Sequence, residues 1–174
     1  MKRLTLLLAL LFLAGCARVT LPSGSMEGGA ARYDDAAIKT AITSALLKND
    51  AAKANDVNVH CFNGHVFLVG EADKDFRRIA VAEAERPEGV VHVTTHWLPT
   101  GTASSDDDAA IETEITGSLL FTEDVSTRRI GVDVWGGHVV LTGIASSQAE
   151  IDSAIAKIKK INKVKSVTSY LSLN

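Results

Sequence analysis

The chain of 174 residues lacks several features that would assign it to a common class of protein. Its N-terminal apolar segment covers about eleven residues, which is too few to span a bilayer, since a spanning helix needs roughly 20. No HExxH motif, paired-cysteine motif, nucleophile elbow or phosphate-binding glycine loop is present, and the five histidines lack the spacing of metal ligands. The sequence therefore predicts no catalytic residue, no metal, no cofactor and no small-molecule substrate, and an enzyme is the weakest hypothesis.

Excess positive charge is also lacking. The chain has 18 Lys and Arg against 21 Asp and Glu, which gives a formal net charge of −3. Loss of an N-terminal leader that contains Lys2 and Arg3 would change this charge to −5, because only two positive charges are removed. Nucleic-acid binding depends on contacts between basic side chains and phosphates, so we expect no nucleic-acid partner.

The N-terminus has the parts of a secretory signal. A basic head precedes the apolar segment, and Leu13-Ala14-Gly15-Cys16 resembles the lipobox at which lipoprotein signals end. The resemblance implies a signal peptide over residues 1–15, a covalent diacylglycerol on the sulfur of Cys16 and an acyl chain on its amino group. Each buried methylene contributes about 0.8 kcal/mol, so two or three chains hold a domain firmly on a membrane. The residue after the cysteine is Ala17. In such lipoproteins an Asp at this position implies retention at the inner membrane, so the resemblance implies the periplasmic face of the outer membrane.

The segment that follows is different in character. Residues 16–33 are rich in Gly, Ser and Ala and have no periodicity, which predicts a flexible tether. Cys61 alternates with Val57 and Val59, which predicts a small buried residue on a strand. Because Cys16 is expected to be lipidated, we expect no intramolecular disulfide.

The rest of the chain is a twofold repeat. Ten matched positions, from Asp34 with Asp107 to Gly70 with Gly143, lie 73 residues apart, and two later pairs lie 74 apart. An offset maintained over so many positions predicts two tandem domains of about 65 residues and not a solenoid. The predicted boundaries are 34–98 for the first domain, 99–106 for a linker and 107–174 for the second domain.

The residue pattern predicts the same order of elements in both copies, α-β-β-α-β. Apolar residues at helical spacing, such as Ile38 and Ile42, follow acidic residues that can cap a helix. Alternating strands then flank Asn63-Gly64 or Gly136-Gly137, which are residues that favour tight hairpin turns. Two helices on one face of three strands make a small two-layer sandwich, so the fold class is α/β (α+β). The second helix and last strand are predicted at 76–85 and 91–98, and at 147–161 and 164–173.

The order of these motifs resembles the BON domain. Gly-x-Val-x-Leu-x-Gly occurs at residues 64–70 and 137–143, and Gly-Val-x-x-Val closes the first copy at 89–93. Lys163 replaces the glycine of this closing motif in the second copy. Two such domains behind a lipobox are similar to the dual-BON outer-membrane lipoproteins, which are related to the periplasmic osmotic-stress BON proteins.

The resemblance implies a non-enzymatic protein that maintains the integrity of the bacterial envelope. Two modes of action are open: contact with outer-membrane phospholipid, or an adaptor role in which the domains bind envelope assembly proteins and only the anchor touches lipid. In the family, phospholipid contact lies on the first helix of the second domain, here residues 107–120. Ile111 and Ile115 on this helix are candidate contact residues. The helix begins with three aspartates and has no Lys, Arg or Trp, which disfavours an anionic headgroup.

Further candidates lie on the sheets. Alternation in the hairpins places Phe62, Phe67 and Trp135 on the face away from the helices, where large apolar groups need a contact. Two interpretations are open at this point. The sheets of the two domains pack against each other, or this face contacts a partner or lipid.

Overall fold

The computed structural model describes residues 34–102, 106–120 and 129–173, with the side chain of Asp106 excepted. The predicted signal peptide over 1–15, the lipid-attachment residue Cys16 and the tether over 16–33 lie outside the described residues. Part of the predicted linker, residues 103–105, also lies outside them.

The described elements follow the predicted order in both copies and confirm the predicted fold class. The elements before residue 99 form domain 1, and those after residue 105 form domain 2. Domain 1 comprises α1 (Asp35–Asn49), α2 (Ala51–Ala54), β1 (Val57–Phe62), β2 (His65–Glu71), α3 (Lys74–Ala84) and β3 (His92–Leu98). Domain 2 comprises α4 (Asp106–Leu120), β4 (Ile130–Trp135), β5 (His138–Ala145), α5 (Gln148–Ile158) and β6 (Ser166–Leu173).

The elements differ from the sequence prediction in one unpredicted turn and in several bounds, such as the start of α3 at Lys74 instead of 76 and of β6 at Ser166 instead of 164. The single turn α2 was not predicted, because four residues are too few to show a helical period. Helix α5 ends at Ile158, three residues before the predicted end, and Lys163 takes a left-handed φ of 68° in the turn that follows.

Within the described residues, each domain contains one three-stranded sheet with its second strand in the centre. In domain 1, β2 pairs antiparallel with β1 and parallel with β3. In domain 2, β5 pairs antiparallel with β4 and parallel with β6. A parallel pair needs a crossover connection, and α3 and α5 supply it.

The helices of each domain cover one face of its sheet and form its core. In domain 1, Ile42 and Leu46 of α1 pack with Leu68 of β2 and with Phe76 of α3, all of them almost fully buried. The core of domain 2 is equivalent, with residues of α4, β5 and α5 in the same roles. Burial of each large apolar side chain stabilises the fold by about 1.5–3 kcal/mol.

A steric constraint requires glycine at the last position of the repeated Gly-x-Val-x-Leu-x-Gly motif. Gly70 and Gly143 have φ values of 151° and 124°, and a Cβ at either position would overlap a backbone carbonyl oxygen. The overlapping carbonyls are those of Asp56 and Arg129, which immediately precede the first strand of each sheet. The motif therefore records close backbone packing.

An aspartate near the start of the first helix holds the hairpin turn in both domains. Asp35 accepts hydrogen bonds from the backbone N–H groups of Asn63 and Gly64, both at 2.8 Å. Its repeat equivalent, Asp108, accepts from Gly136 and Gly137 at 2.7 and 2.8 Å. The sequence pattern predicts helix capping for these acidic residues as a group. In domain 1 it is Asp34 that caps α1, by accepting from the N–H of Ala37.

We expect Asp108→Ala to lower the free energy of unfolding by about 2–4 kcal/mol, because one part-buried and one buried N–H group lose a charged acceptor and each such loss costs about 1–3 kcal/mol. The matched control is Asp107→Ala, which removes an exposed ion pair with Lys163 and should cost about 0–1 kcal/mol. Urea unfolding of both variants measures the difference. Equal losses would show that the turn does not depend on Asp108.

Candidate interaction surface between the two sheets

The sheet faces that point away from the helices pack against each other across the two domains. Phe67 and Trp135 are each only 6% exposed, and Val69 and Val140 are each 1% exposed. The rings of Phe67 in domain 1 and Tyr170 in domain 2 lie 6.4 Å apart between centroids. Of the two interpretations left open by the sequence, the structure adopts sheet-to-sheet packing.

A buried carboxylate lies inside this interface. Asp133 on β4 is 2% exposed, and both of its hydrogen-bonding partners come from β1 of domain 1. The side-chain amide of Asn58 donates to Oδ1 at 2.7 Å, and Nε2 of His60 lies 3.1 Å from Oδ1 and 2.9 Å from Oδ2. A carboxylate taken out of water needs such partners, so these three side chains fix the register of the two sheets.

Gly131 makes room for the His60 ring. A Cβ at Gly131 would lie 2.7 Å from Nδ1 of His60 and 2.6 Å from Oγ1 of Thr142, which are distances that real Cβ atoms do not show. Because glycine has no side chain at this position of β4, the imidazole can reach Asp133.

A second polar contact joins the last strands of the two sheets. Nδ1 of His96 lies 2.9 Å from the hydroxyl of Tyr170, and the two rings meet edge to face with centroids 5.7 Å apart. Burial lowers the pKa of His96 below its usual value, and the more distant Asp133 carboxylate opposes this shift.

The structure separates the five candidate contact residues into two groups. Ile111 and Ile115 of α4 are 3% and 0% exposed and belong to the core of domain 2. Phe67 and Trp135 lie in the interface between the sheets, and Phe62 beside them is half-buried, with its ring stacked on His60. Lipid or partner contact at these residues stays a prediction.

The exposed surface of domain 2 carries charge of both signs in adjoining regions. Helix α4 presents Asp107, Glu112 and Glu114 and has no basic residue. At the end of α5 and the turn beyond it, four lysines are exposed. They are Lys159, Lys160, Lys163 and Lys165, and we call them the lysine-rich end.

Cys61 is a buried strand residue, as predicted. Its Sγ donates to Oδ1 of Asp35 at 3.2 Å, and burial, together with that carboxylate, raises the pKa of the thiol to about 12. The thiol is therefore protonated at neutral pH and is a poor nucleophile.

Two further observations concern only the described part of the chain. None of its helices has both the length and the apolar character that a membrane span requires. No three His, Cys, Asp or Glu side chains within it are grouped closely enough to hold a metal ion.

The polar residues of the interface are absent from the sequence prediction. The hydrophobic pattern indicates the apolar outer face but assigns no role to Asn58 or Asp133. Both lie at outward positions of their strands, where Asp133 is the repeat equivalent of His60. Comparison of outward-facing polar residues at the 73-residue offset could have found this pairing.

Comparisons with known proteins agree with this architecture. The family model described as the BON domain matches residues 34–96 and 107–174. The outer membrane lipoprotein DolP of Haemophilus influenzae is 28% identical over 187 residues, covering 98% of this chain and 97% of that protein. The osmotically-inducible protein Y of Escherichia coli is 32% identical over 144 residues, covering 79% of this chain and 72% of that protein.

A solved structure of CdsD, a structural protein of the type III secretion system of Chlamydia trachomatis, also aligns with the chain. It covers 82% of this chain and 64% of that chain, with a TM-score of 0.35 and 13% identity. This similarity is too low to carry an argument.

We expect His96 to make the protein less stable on acidification. A histidine whose pKa is lower in the folded state takes up its proton more readily in the unfolded state, so stability falls as pH drops through about 6.5 towards the folded pKa. Urea unfolding at pH 7.5 and 5.5 should therefore show a larger loss of stability for the native chain than for His96→Gln. An equal loss in both proteins would contradict the assignment.

Proposed function

Because the chain belongs to the BON domain family and carries two copies of that domain, we propose that it is a non-enzymatic lipoprotein of the bacterial envelope. Acyl chains on Cys16 hold it at the periplasmic face of the outer membrane, where it helps to maintain envelope integrity under stress. The lipobox supports this location, as does the similarity to proteins named as an outer membrane lipoprotein and an osmotically-inducible protein.

The lysine-rich end of domain 2 is the feature that best supports contact with phospholipid. Its four lysines are exposed, and residues 153–174 contain no Asp or Glu. A lysine near an anionic bilayer surface contributes about 1 kcal/mol of attraction. Among the residues that the structure describes, only Lys163 of these four has a carboxylate close by, Asp107 at 2.6 Å. Both of these side chains are more than half exposed, so water weakens their pairing.

This proposal moves the lipid contact away from the buried aromatic residues. Trp135 and Phe67 lie between the sheets and have almost no surface to offer a bilayer in this arrangement. The lysine-rich end needs no inserted aromatic ring, because it acts through charge at the headgroup level. Such binding is weak alone and gains from the lipid anchor, which raises the effective concentration of the domains at the membrane.

The adaptor role is the second candidate, and helix α4 favours it. Its exposed carboxylates at positions 107, 112 and 114 repel an anionic bilayer and attract a basic protein surface. In this case the domains bind an envelope assembly protein, and lipid contact is confined to Cys16.

Vesicle flotation of residues 17–174, which lack the lipid anchor, separates the two candidates. We expect flotation with anionic phospholipid vesicles at low salt, little flotation with neutral vesicles, and weakening at moderate salt because salt screens exposed charges. Replacement of the four lysines of the lysine-rich end by Glu should abolish flotation.

The matched control replaces four exposed basic residues of domain 1 by Glu, namely Lys48, Lys74, Arg78 and Arg86. This variant has the same net charge and should still float with anionic vesicles. Equal loss in both variants would assign the effect to net charge alone. No flotation of the native domains in any condition would contradict phospholipid contact and leave the adaptor role.

A further inference from the structure

The two sheets meet through equivalent positions of the repeat. His60 and Asp133, which bond to each other, are separated by the 73-residue offset of the repeat. His96 and Tyr170, which also bond, are separated by the 74-residue offset of the closing strands. Equivalent residues contact each other where a twofold axis relates two surfaces, as in a symmetric dimer. The domains therefore pair about an approximate twofold axis that runs along the interface past both contacts.

Two cavities beside the interface are lined by residues that are equivalent in the repeat. One cavity, of about 170 Å³, is lined in part by His65 and Phe67. The other, of about 310 Å³, is lined in part by their repeat equivalents, His138 and Val140. The interface thus has the form of a homodimer built within one chain.

The symmetry is broken by charge at the axis. A cleft of about 380 Å³ is lined by residues of both domains, and these include the equivalent pairs Lys39 with Glu112 and His60 with Asp133. In each pair, domain 1 supplies the basic member and domain 2 supplies the acidic member. His60 acts on Glu112 across this cleft: burial and the Asp133 carboxylate of the same domain raise the pKa of Glu112, and His60 of domain 1 opposes that shift.

The symmetry is also broken by shape. The residue of domain 1 that corresponds to Gly131 is Asn58. If two copies of domain 1 paired in the same way, the His60 ring of one copy would meet the Cβ of Asn58 in the other at the place where no Cβ fits. Two copies of domain 2 would place Asp133 against Asp133 and Glu112 against Glu112, and like charges held opposite one another are unfavourable.

We infer that the outer sheet face of domain 1 recognises a BON sheet face with a carboxylate at the Asp133 position, no side chain at the Gly131 position and a carboxylate at the Glu112 position of the adjoining helix. Domain 2 of the same molecule is that partner. The two basic–acidic pairs select the pairing of unlike domains over the pairing of like domains. This inference goes beyond the proposed function, which does not depend on how the domains pair.

The test uses Trp135 as the reporter in the full chain. The protein has two tryptophans, so Trp97→Phe leaves Trp135, which is buried at the interface, as the sole fluorophore. In this background, an all-acidic variant carries Lys39→Glu and His60→Asp, and an all-basic variant carries Glu112→Lys and Asp133→His. We expect both variants to raise the acrylamide quenching of Trp135 several-fold, because the all-acidic variant sets like charges against each other and the all-basic variant leaves two imidazoles facing each other with no carboxylate between the sheets. The combination of all four changes with Asn58→Gly and Gly131→Asn, which moves the space for the imidazole to domain 1, restores unlike pairs and should return quenching to that of the parent.

A matched control changes charge by the same amount away from the cleft, through Lys48→Glu with Ala52→Asp on the exposed surface of domain 1. It should leave Trp135 protected. Circular dichroism establishes that each variant keeps its secondary structure. If one of the two opened variants does not fold, the other and the six-change protein still decide the matter.

Mixing provides an independent result. Neither opened variant has a complementary face of its own, but each complements the other, so a mixture of the two should form a one-to-one dimer by light scattering. Protection of Trp135 in both opened variants would overturn the inference. So would failure of the six-change protein to regain protection, because the substitutions would then act through local packing and not through the complementarity of the two faces.

Discussion

A single buried carboxylate constrains how the two domains are joined. Asp133 is 2% exposed, and the side chains that bond to it come from the other domain, at 2.7 Å from Asn58 and 2.9 Å from His60. Removal of an ion from water costs several kcal/mol, so the sheets can close only in the register that supplies both partners. The apolar residues around this pair provide the area that stabilises the interface, while the carboxylate determines its alignment. Gly131 completes the arrangement by leaving space for the imidazole.

Much of the fold could be predicted from the sequence because the residues that specify it are periodic. Core positions such as Ile42 and Ile115 recur at helical spacing, and Asn63-Gly64 and Gly136-Gly137 mark turns that need positive φ. The repeat doubles each of these signals. The hairpin anchors Asp35 and Asp108 could not be distinguished from capping residues, because an acidic residue at a helix start is compatible with either role until the distance to the turn is known.

The interaction surface was predicted only in its apolar part. Large residues on the outer face, such as Phe67 and Trp135, indicate that something must cover that face, but hydrophobicity alone does not say what. The contact between His60 and Asp133 joins residues 73 positions apart and follows from the pairing of two domains, which no local pattern encodes. Because the residues of this contact are buried, charge is the main feature of the exposed surface of domain 2. The lysine-rich end and the acidic helix α4 therefore lead to the two proposed modes of action.

The two BON domains form one closed body through their outer sheet faces. Nuclear Overhauser contacts between the side chains of Phe67 and Tyr170 test it most directly, because these residues belong to different domains and their ring centroids lie 6.4 Å apart. Cross-peaks between the two rings, together with a single rotational correlation time for both domains, are the predicted result. Absence of these cross-peaks, with two domains that tumble independently, would contradict the account.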